Sequence, residues 1–147
     1  MNIIYFSNIT NTTHRLVQRI NLDALVDTVD NIHRLPIRAT DVTQQLIEEI
    51  TQQPYILITP SYGDKNRGHL PHPVRALINS QQGRSTLTAV IGTGNTNFGK
   101  EYGLAGKLIA NKLQIPLLAT IELAGLPEDG ETLTHLIKQH AETLITV

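Results

Sequence analysis

"PYILITPSYG", residues 54 to 63, decides the fold class. Tyr55 to Thr59 is nearly all apolar and follows a proline, which is the pattern of a strand buried on both faces. A strand with one wet face would alternate polar and apolar residues instead. Strands buried on both sides belong to parallel sheets whose crossover helices cover both faces.

The same succession repeats outward from that stretch. Asn2 to Phe6 is a β-rich run broken by the polar cluster "SNITNTTH", after which Leu16, Val17 and Ile20 mark one helix face. Residues 21 to 31 are ambiguous, and a short second strand is expected around Ile32 to Leu35, ended by Pro36. Asp41 is expected to cap a helix whose Leu46, Ile47 and Ile50 face inward. Beyond the third strand, a short helix through Val74, Leu77 and Ile78 leads to a fourth strand, Leu87 to Ile91. A helix over Lys100 to Leu113, a fifth strand over Pro116 to Leu123 and a closing helix over Glu128 to Ile145 complete the chain. Five strands, each followed by a helix or crossover, predict one α/β domain over residues 1–147, a five-stranded parallel sheet with helices on both faces.

Composition narrows the function. With 147 residues, 40% of them hydrophobic and 17% charged, the chain has material for one ordinary core. A formal net charge of -1 with no cluster of basic residues gives no reason to expect a nucleic acid or an anionic membrane as partner. There is no cysteine, so disulfides, thiolate chemistry and Cys-based metal sites are excluded, and any redox chemistry must come from a bound cofactor. The stretch "MNIIYFSNIT" has no basic region and only a short apolar run, which leads us to expect a cytoplasmic protein. The sequons at Asn8 and Asn11 carry little weight for that reason.

In open parallel sheets, ligands bind outside the carboxyl ends of the strands, and three unusual loops are expected at that edge. The first, "SNITNTT", supplies the hydroxyls of Ser7, Thr10, Thr12 and Thr13 next to the unpaired N–H groups of a helix start, a setting that suits a phosphate. Thr10 or Asn11 also reads simply as a helix cap. The second, "TPSYGDKNRG", is long for a connection and sets Tyr62, a ring with a polar tip, beside Gly63, a residue free to turn its peptide. An ordinary tight turn with a surface tyrosine reads equally well there. His69 and His72 lack a third ligand, so no metal site is expected. The third, "IGTGNTNFGKEYG", is not a dinucleotide fingerprint: it follows the fourth strand, and position 97 is Asn where G-x-G-x-x-G has glycine. Backbone N–H groups at Gly92 to Asn95 and the ring of Phe98 suit the edge of a planar heteroaromatic ligand, although Phe98 and Tyr102 also fit as core plugs. Glu101 and Glu122 read as solvated or capping carboxylates, and no residue is a convincing acid, base or nucleophile.

These strings, in this order, resemble the NrdI family, flavodoxin-like proteins that serve class Ib ribonucleotide reductase. The similarity rests on the Ser/Thr-rich first loop, "PYILITPSYG", "IGTGNTNFGKEYGLAGKLIANKLQIPLL" and "ELAGLPED", and is strongest from Pro54 to Asp129. Generic flavodoxins do not usually share G-N-x-N-F-G-x-x-Y, here Gly94 to Tyr102, followed by Ala105-Gly106 and Ile115-Pro116. The resemblance implies a flavodoxin-like fold with strand order 2-1-3-4-5 and FMN as cofactor. It implies a role in which reduced flavin and dioxygen supply superoxide or peroxide to the dimanganese small subunit of the reductase, for assembly of its tyrosyl radical. A flavin-reducing electron donor is implied as a second partner. Carried over by position, Asn8, Thr10, Thr12 and Thr13 would hold the phosphate, with Ser7 and Asn11 in the same loop. Ser61, Tyr62 and Gly63 would lie against the isoalloxazine, and Thr93, Gly94, Asn95, Asn97, Phe98, Gly99 and Tyr102 would line its other side.

Two departures stand out. The family's phosphate-loop pattern T-G-x-T reads Thr10-Asn11-Thr12-Thr13 here, and Asn is the residue that next best tolerates left-handed backbone, so the turn is expected to persist on an altered path. The glycine run after Tyr-Gly is replaced by "DKNR", which places Asp64, Lys65 and Arg67 near the flavin mouth. Two other readings stay open: a flavodoxin-fold scaffold with weak or lost FMN binding, and a general electron carrier. The carrier is disfavoured because electrostatic docking to many reductases normally uses a strongly acidic face. Phe98→Ala is expected to weaken FMN binding or shift its reduction potential, and Gly63→Val to alter the stepwise reduction of the flavin. Unchanged redox titrations in both variants would refute the placement of these loops.

Overall fold

The computed structural model describes residues 1–62, 70–94, 103–122, 126 and 128–145. Its elements run β1 (Asn2–Tyr5), α1 (Thr12–Val17), a 3-10 turn (Leu22–Leu25), β2 (Asn31–Arg34), a second 3-10 turn (Ala39–Asp41), α2 (Gln44–Ile50) and β3 (Tyr55–Pro60). They continue with α3 (His72–Asn79), α4 (Gln81–Thr86), β4 (Leu87–Gly94), α5 (Leu104–Leu113), β5 (Leu117–Glu122) and α6 (Glu128–Ile145). All strand pairs are parallel, in the order β2-β1-β3-β4-β5. The expected sheet and its strand order are thus what the chain adopts.

Alternation along each strand divides the core in two. Ile4, Phe6, Tyr55 and Leu57 pack with Ile47 of α2, Leu77 of α3 and Ile109 of α5. Ile3, Tyr5, Ile56 and Ile58 point the other way, onto Leu16 of α1 and Leu133 and Ile137 of α6. Residues 55 to 58 are all 0% exposed, which is why the run reads as continuously apolar. Each fully buried aliphatic side chain of this kind contributes about 1.5–3 kcal/mol.

Several boundaries differ from the sequence expectation, each for a local reason. Thr43, rather than Asp41, caps α2: its hydroxyl accepts from Leu46 N–H at 3.1 Å. Asp41 closes the preceding 3-10 turn and pairs with exposed Arg38 at 3.4 Å. The expected helix through Val74, Leu77 and Ile78 is α3, and an unexpected helix, α4, follows it, capped by Ser80 Oγ, which accepts from Gly83 N–H. Strand β4 continues through Gly92, Thr93 and Gly94, with β3 on one side and β5 on the other, where the sequence suggested an end at Ile91. At its far end, Thr88 Oγ1 donates to Tyr55 O at 3.0 Å, so His140 Nε2, 2.9 Å away, is the donor to that hydroxyl. Burial holds the His140 imidazole below its ordinary pKa, which favours this neutral, donating form.

Helix α5 lies unusually close to the sheet. A Cβ on Gly106 would come within 3.1 Å of Gly92 Cα, so the two glycines let helix and strand backbones approach. Gly103, which enters α5 with φ 65°, meets Thr120 of β5: a Cβ there would lie 2.2 Å from Thr120 Cγ2. Gly103→Ala is therefore expected to lower unfolding free energy by about 2–4 kcal/mol, combining left-handed strain with overpacking. Urea denaturation checks this, and a loss within about 0.5 kcal/mol, the scale of an ordinary surface change, would refute the close approach.

Candidate cofactor site

The order β2-β1-β3 means that the chain leaves β1 in one direction and β3 in the other, which opens a crevice at their carboxyl ends. The first loop crosses it. Asn11, immediately before α1, is left-handed at φ 59° and ψ 24°, the conformation that glycine would adopt without strain. Its N–H donates to Asn8 O at 3.0 Å. Asn8 Oδ1 accepts from Thr10 N–H at 3.0 Å and from the Thr10 hydroxyl, an Asx turn that folds the loop onto itself. Ser7 is buried, and its Oγ accepts from His14 N–H at 3.0 Å. Arg34, at the end of β2, reaches over and donates from Nη2 to Ser7 O, Asn8 O and Asn11 Oδ1 at 3.3, 3.2 and 2.7 Å.

Further contacts fix the neighbouring strand ends around this loop. The hydroxyls of Thr13 and Thr93 share a hydrogen bond of 3.1 Å, both side chains being buried, so α1 is fastened to β4. Tyr62 stands edge-on to Phe6, with ring centroids 6.2 Å apart at 78°, and Asn8 hydrogen-bonds its hydroxyl. Burial pushes the Tyr62 phenol above its ordinary pKa, and the Asn8 bond partly opposes that. Ser61 Oγ accepts from Ala105 N–H at 3.0 Å, fixing the exit of β3 to the start of α5.

Ser7, Asn8, Thr10, Asn11, Thr12, Thr13, Ser61, Tyr62, Thr93 and Gly94 therefore gather at one sheet edge. Gly63, Asn95, Asn97, Phe98, Gly99 and Tyr102 lie outside the described residues, as do Asp64, Lys65, Arg67, His69 and Glu101. Within the gathered set the roles divide. Ser7 and Thr13 hold the loop in place, whereas the Thr12 hydroxyl has no hydrogen-bond partner among the described residues. The amides of Thr12 and Thr13 open α1 and have no intrahelical acceptor. Gly92 packs against α5, so its lack of a side chain serves helix approach.

Arg34, His14 and Tyr5 were missed by the sequence reading. Tyr5 Oη and His14 Nδ1 are 2.6 Å apart beneath the loop, with rings stacked at 5.8 Å and 19°. Burial raises the Tyr5 phenol pKa while the Arg34 charge lowers it, an electrostatic sign that the guanidinium is close. The signal that could have found Arg34 was the strand order itself: placing strand two beside strand one aligns Arg34 with Tyr5.

Residues 4–135 match the family model described as "NrdI Flavodoxin like". The chain belongs to this family. Its curated relatives include the Protein NrdI of Photorhabdus laumondii, 39% identical over 128 residues, which cover 86% of this chain and 82% of the relative. The Protein NrdI of Corynebacterium glutamicum is 35% identical over 150 residues, covering 98% of this chain and 93% of the relative. Among solved structures, a short-chain flavodoxin associated with a non-canonical PDU bacterial microcompartment superposes with a TM-score of 0.65 at 14% identity, over 97% and 96% of the two chains. A mutant flavodoxin of Fusobacterium nucleatum, bound to flavin mononucleotide, gives 0.60 at 15% identity, over 97% and 95%. Every residue of the gathered set lies inside the stretch that matches the NrdI family.

Because Asn8 lowers and burial raises the Tyr62 pKa, Asn8→Ala is expected to move Tyr62 ionisation to higher pH. An ultraviolet titration, with Tyr62→Phe to identify the transition, checks the sign; an unmoved or lowered transition would exclude the Asn8 bond. The raised phenol pKa also favours the folded state up to about pH 10, a contribution lost as pH rises through the folded-state value.

Proposed function

We propose that this chain binds FMN at the carboxyl edge of β1, β3 and β4 and, in the cytoplasm, supplies oxidant for the dimanganese small subunit of a class Ib ribonucleotide reductase. The observation that carries the reading is left-handed Asn11: the turn that the family forms with glycine persists here, despite the substitution. The donor set fits a phosphate monoester. Thr12 offers a hydroxyl, Thr12 and Thr13 offer amides, and no Asp or Glu lies between Phe6 and Leu22 to repel a dianion. The half-buried Tyr62 ring, backed by Phe6, offers an aromatic wall, and the loops of the family string at Gly94 to Tyr102 would close the other side.

Bound in reduced form, FMN supplies electrons to dioxygen, which yields superoxide or peroxide. The chain's own part is to hold, orient and shield. Thr12 and the opening amides of α1 would fix the phosphate end. The Ser61–Ala105 bond fixes the exit of β3 to the start of α5, beside which a planar ring would lie. Membership of the NrdI family supports a small-subunit partner and an electron donor for this reading.

Purified protein mixed with FMN is expected to show flavin absorption bands that persist through desalting. Protein that stays colourless would favour a scaffold of the same fold. Reducing the bound flavin, then adding dioxygen and manganese-loaded small subunit, is expected to produce a tyrosyl radical signal in electron paramagnetic resonance. Bound FMN without that signal would leave a flavoprotein and remove the activator role.

A further inference from the structure

We propose that Arg34 is the positioning residue of the first loop, a cation that holds Asn11 left-handed and orients the loop for a phosphate; this rests on the FMN reading above. Arg34 stands outside the loop in sequence and beside it in space, because β1 and β2 pair with Tyr5 opposite Arg34. One guanidinium nitrogen, Nη2, contacts Ser7 O, Asn8 O and Asn11 Oδ1. A planar trans peptide points its N–H opposite its carbonyl. Drawing the Ser7 and Asn8 carbonyls toward the guanidinium therefore turns the N–H groups of Asn8 and Ile9 to the other side.

The shortest of the three bonds, 2.7 Å, goes to the Asn11 side chain. Glycine at that position would need no such support, whereas Asn in left-handed backbone carries a Cβ that disfavours it. The Asn11–Arg34 bond ties the conformation to an anchor on a neighbouring strand. Among the described residues no carboxylate lies within ion-pair distance of Arg34, so its charge is not neutralised there. A full positive charge at the back of the loop also lowers the electrostatic cost of bringing a dianion to its front. Lysine would not substitute, since its side chain ends one bond short of the Nη2 position from which the three acceptors are contacted.

The test compares wild type, Arg34→Ala, Arg34→Lys, Asn11→Gly and the Arg34→Ala/Asn11→Gly double variant. Affinity is measured for FMN and for riboflavin, which has the same ring and no phosphate. Arg34→Ala is expected to weaken FMN binding by about tenfold to a hundredfold while leaving riboflavin binding unchanged. Arg34→Lys should recover little, and the double variant should recover much of the loss, because glycine holds the turn unaided. Parallel losses for FMN and riboflavin, or no recovery in the double variant, would overturn the proposal. Hydrogen exchange of the ligand-free protein gives a separate readout: Asn11 N–H should exchange faster in Arg34→Ala, with global stability retained. If wild type binds no FMN, the functional reading fails, and unchanged Asn11 exchange would refute the positioning role on its own terms.

Discussion

Strands β3 and β4 sit in the middle of the sheet with both faces covered, and the rest of the molecule is arranged around that burial. A strand without a wet side must be parallel to its neighbours or covered by other means, and parallel pairing forces a long crossover after every strand. The helices α1 and α6 cover one face, and α2, α3 and α5 cover the other. Each connection that follows a strand then begins at the same edge. That the polar loops start from one edge is a geometric result of hydrophobic coverage, before any side chain in them is considered.

What the loop side chains add is fixation. Short bonds between residues far apart in sequence, Thr13 to Thr93, Ser61 to Ala105 and Arg34 to Asn11, join the ends of four strands and two helices. Buried hydroxyls left unpaired would be destabilising, so the Thr13–Thr93 pair satisfies two buried groups, and all three bonds set loop positions. The result is a first loop that already has its turn, consistent with a ligand site that does not need extensive rearrangement.

The glycines divide between two duties. Gly92 and Gly106 allow α5 to approach β4, and Gly103 admits a positive φ against Thr120. In the string that marks the NrdI family, part of the glycine content is thus a packing requirement of strand and helix, independent of any ligand. The same string looks like a ligand loop on paper because both demands select the smallest residue.

Much of the fold was legible in the sequence, since apolar runs and helical spacing are local signals of long-range burial. The five strands, the closing helix Glu128–Ile145 and the carboxyl-edge location of the loops all follow from them. Strand order came from the family strings and agrees with the observed sheet. Legible too was the first loop, as a polar turn at the start of a helix. The cap of α2, the extension of β4 and the pairing of Ser7, Thr13 and Thr93 were not, because each depends on a partner set by packing. Arg34 is the clearest case: alone in a short edge strand it is an exposed charge, and its three acceptors lie in a loop some two dozen residues earlier. The chain's own order of residues determines which segments become strands and helices, through local periodicity; only the folded sheet decides which polar groups meet, because hydrogen bonds require distances that sequence separation does not encode.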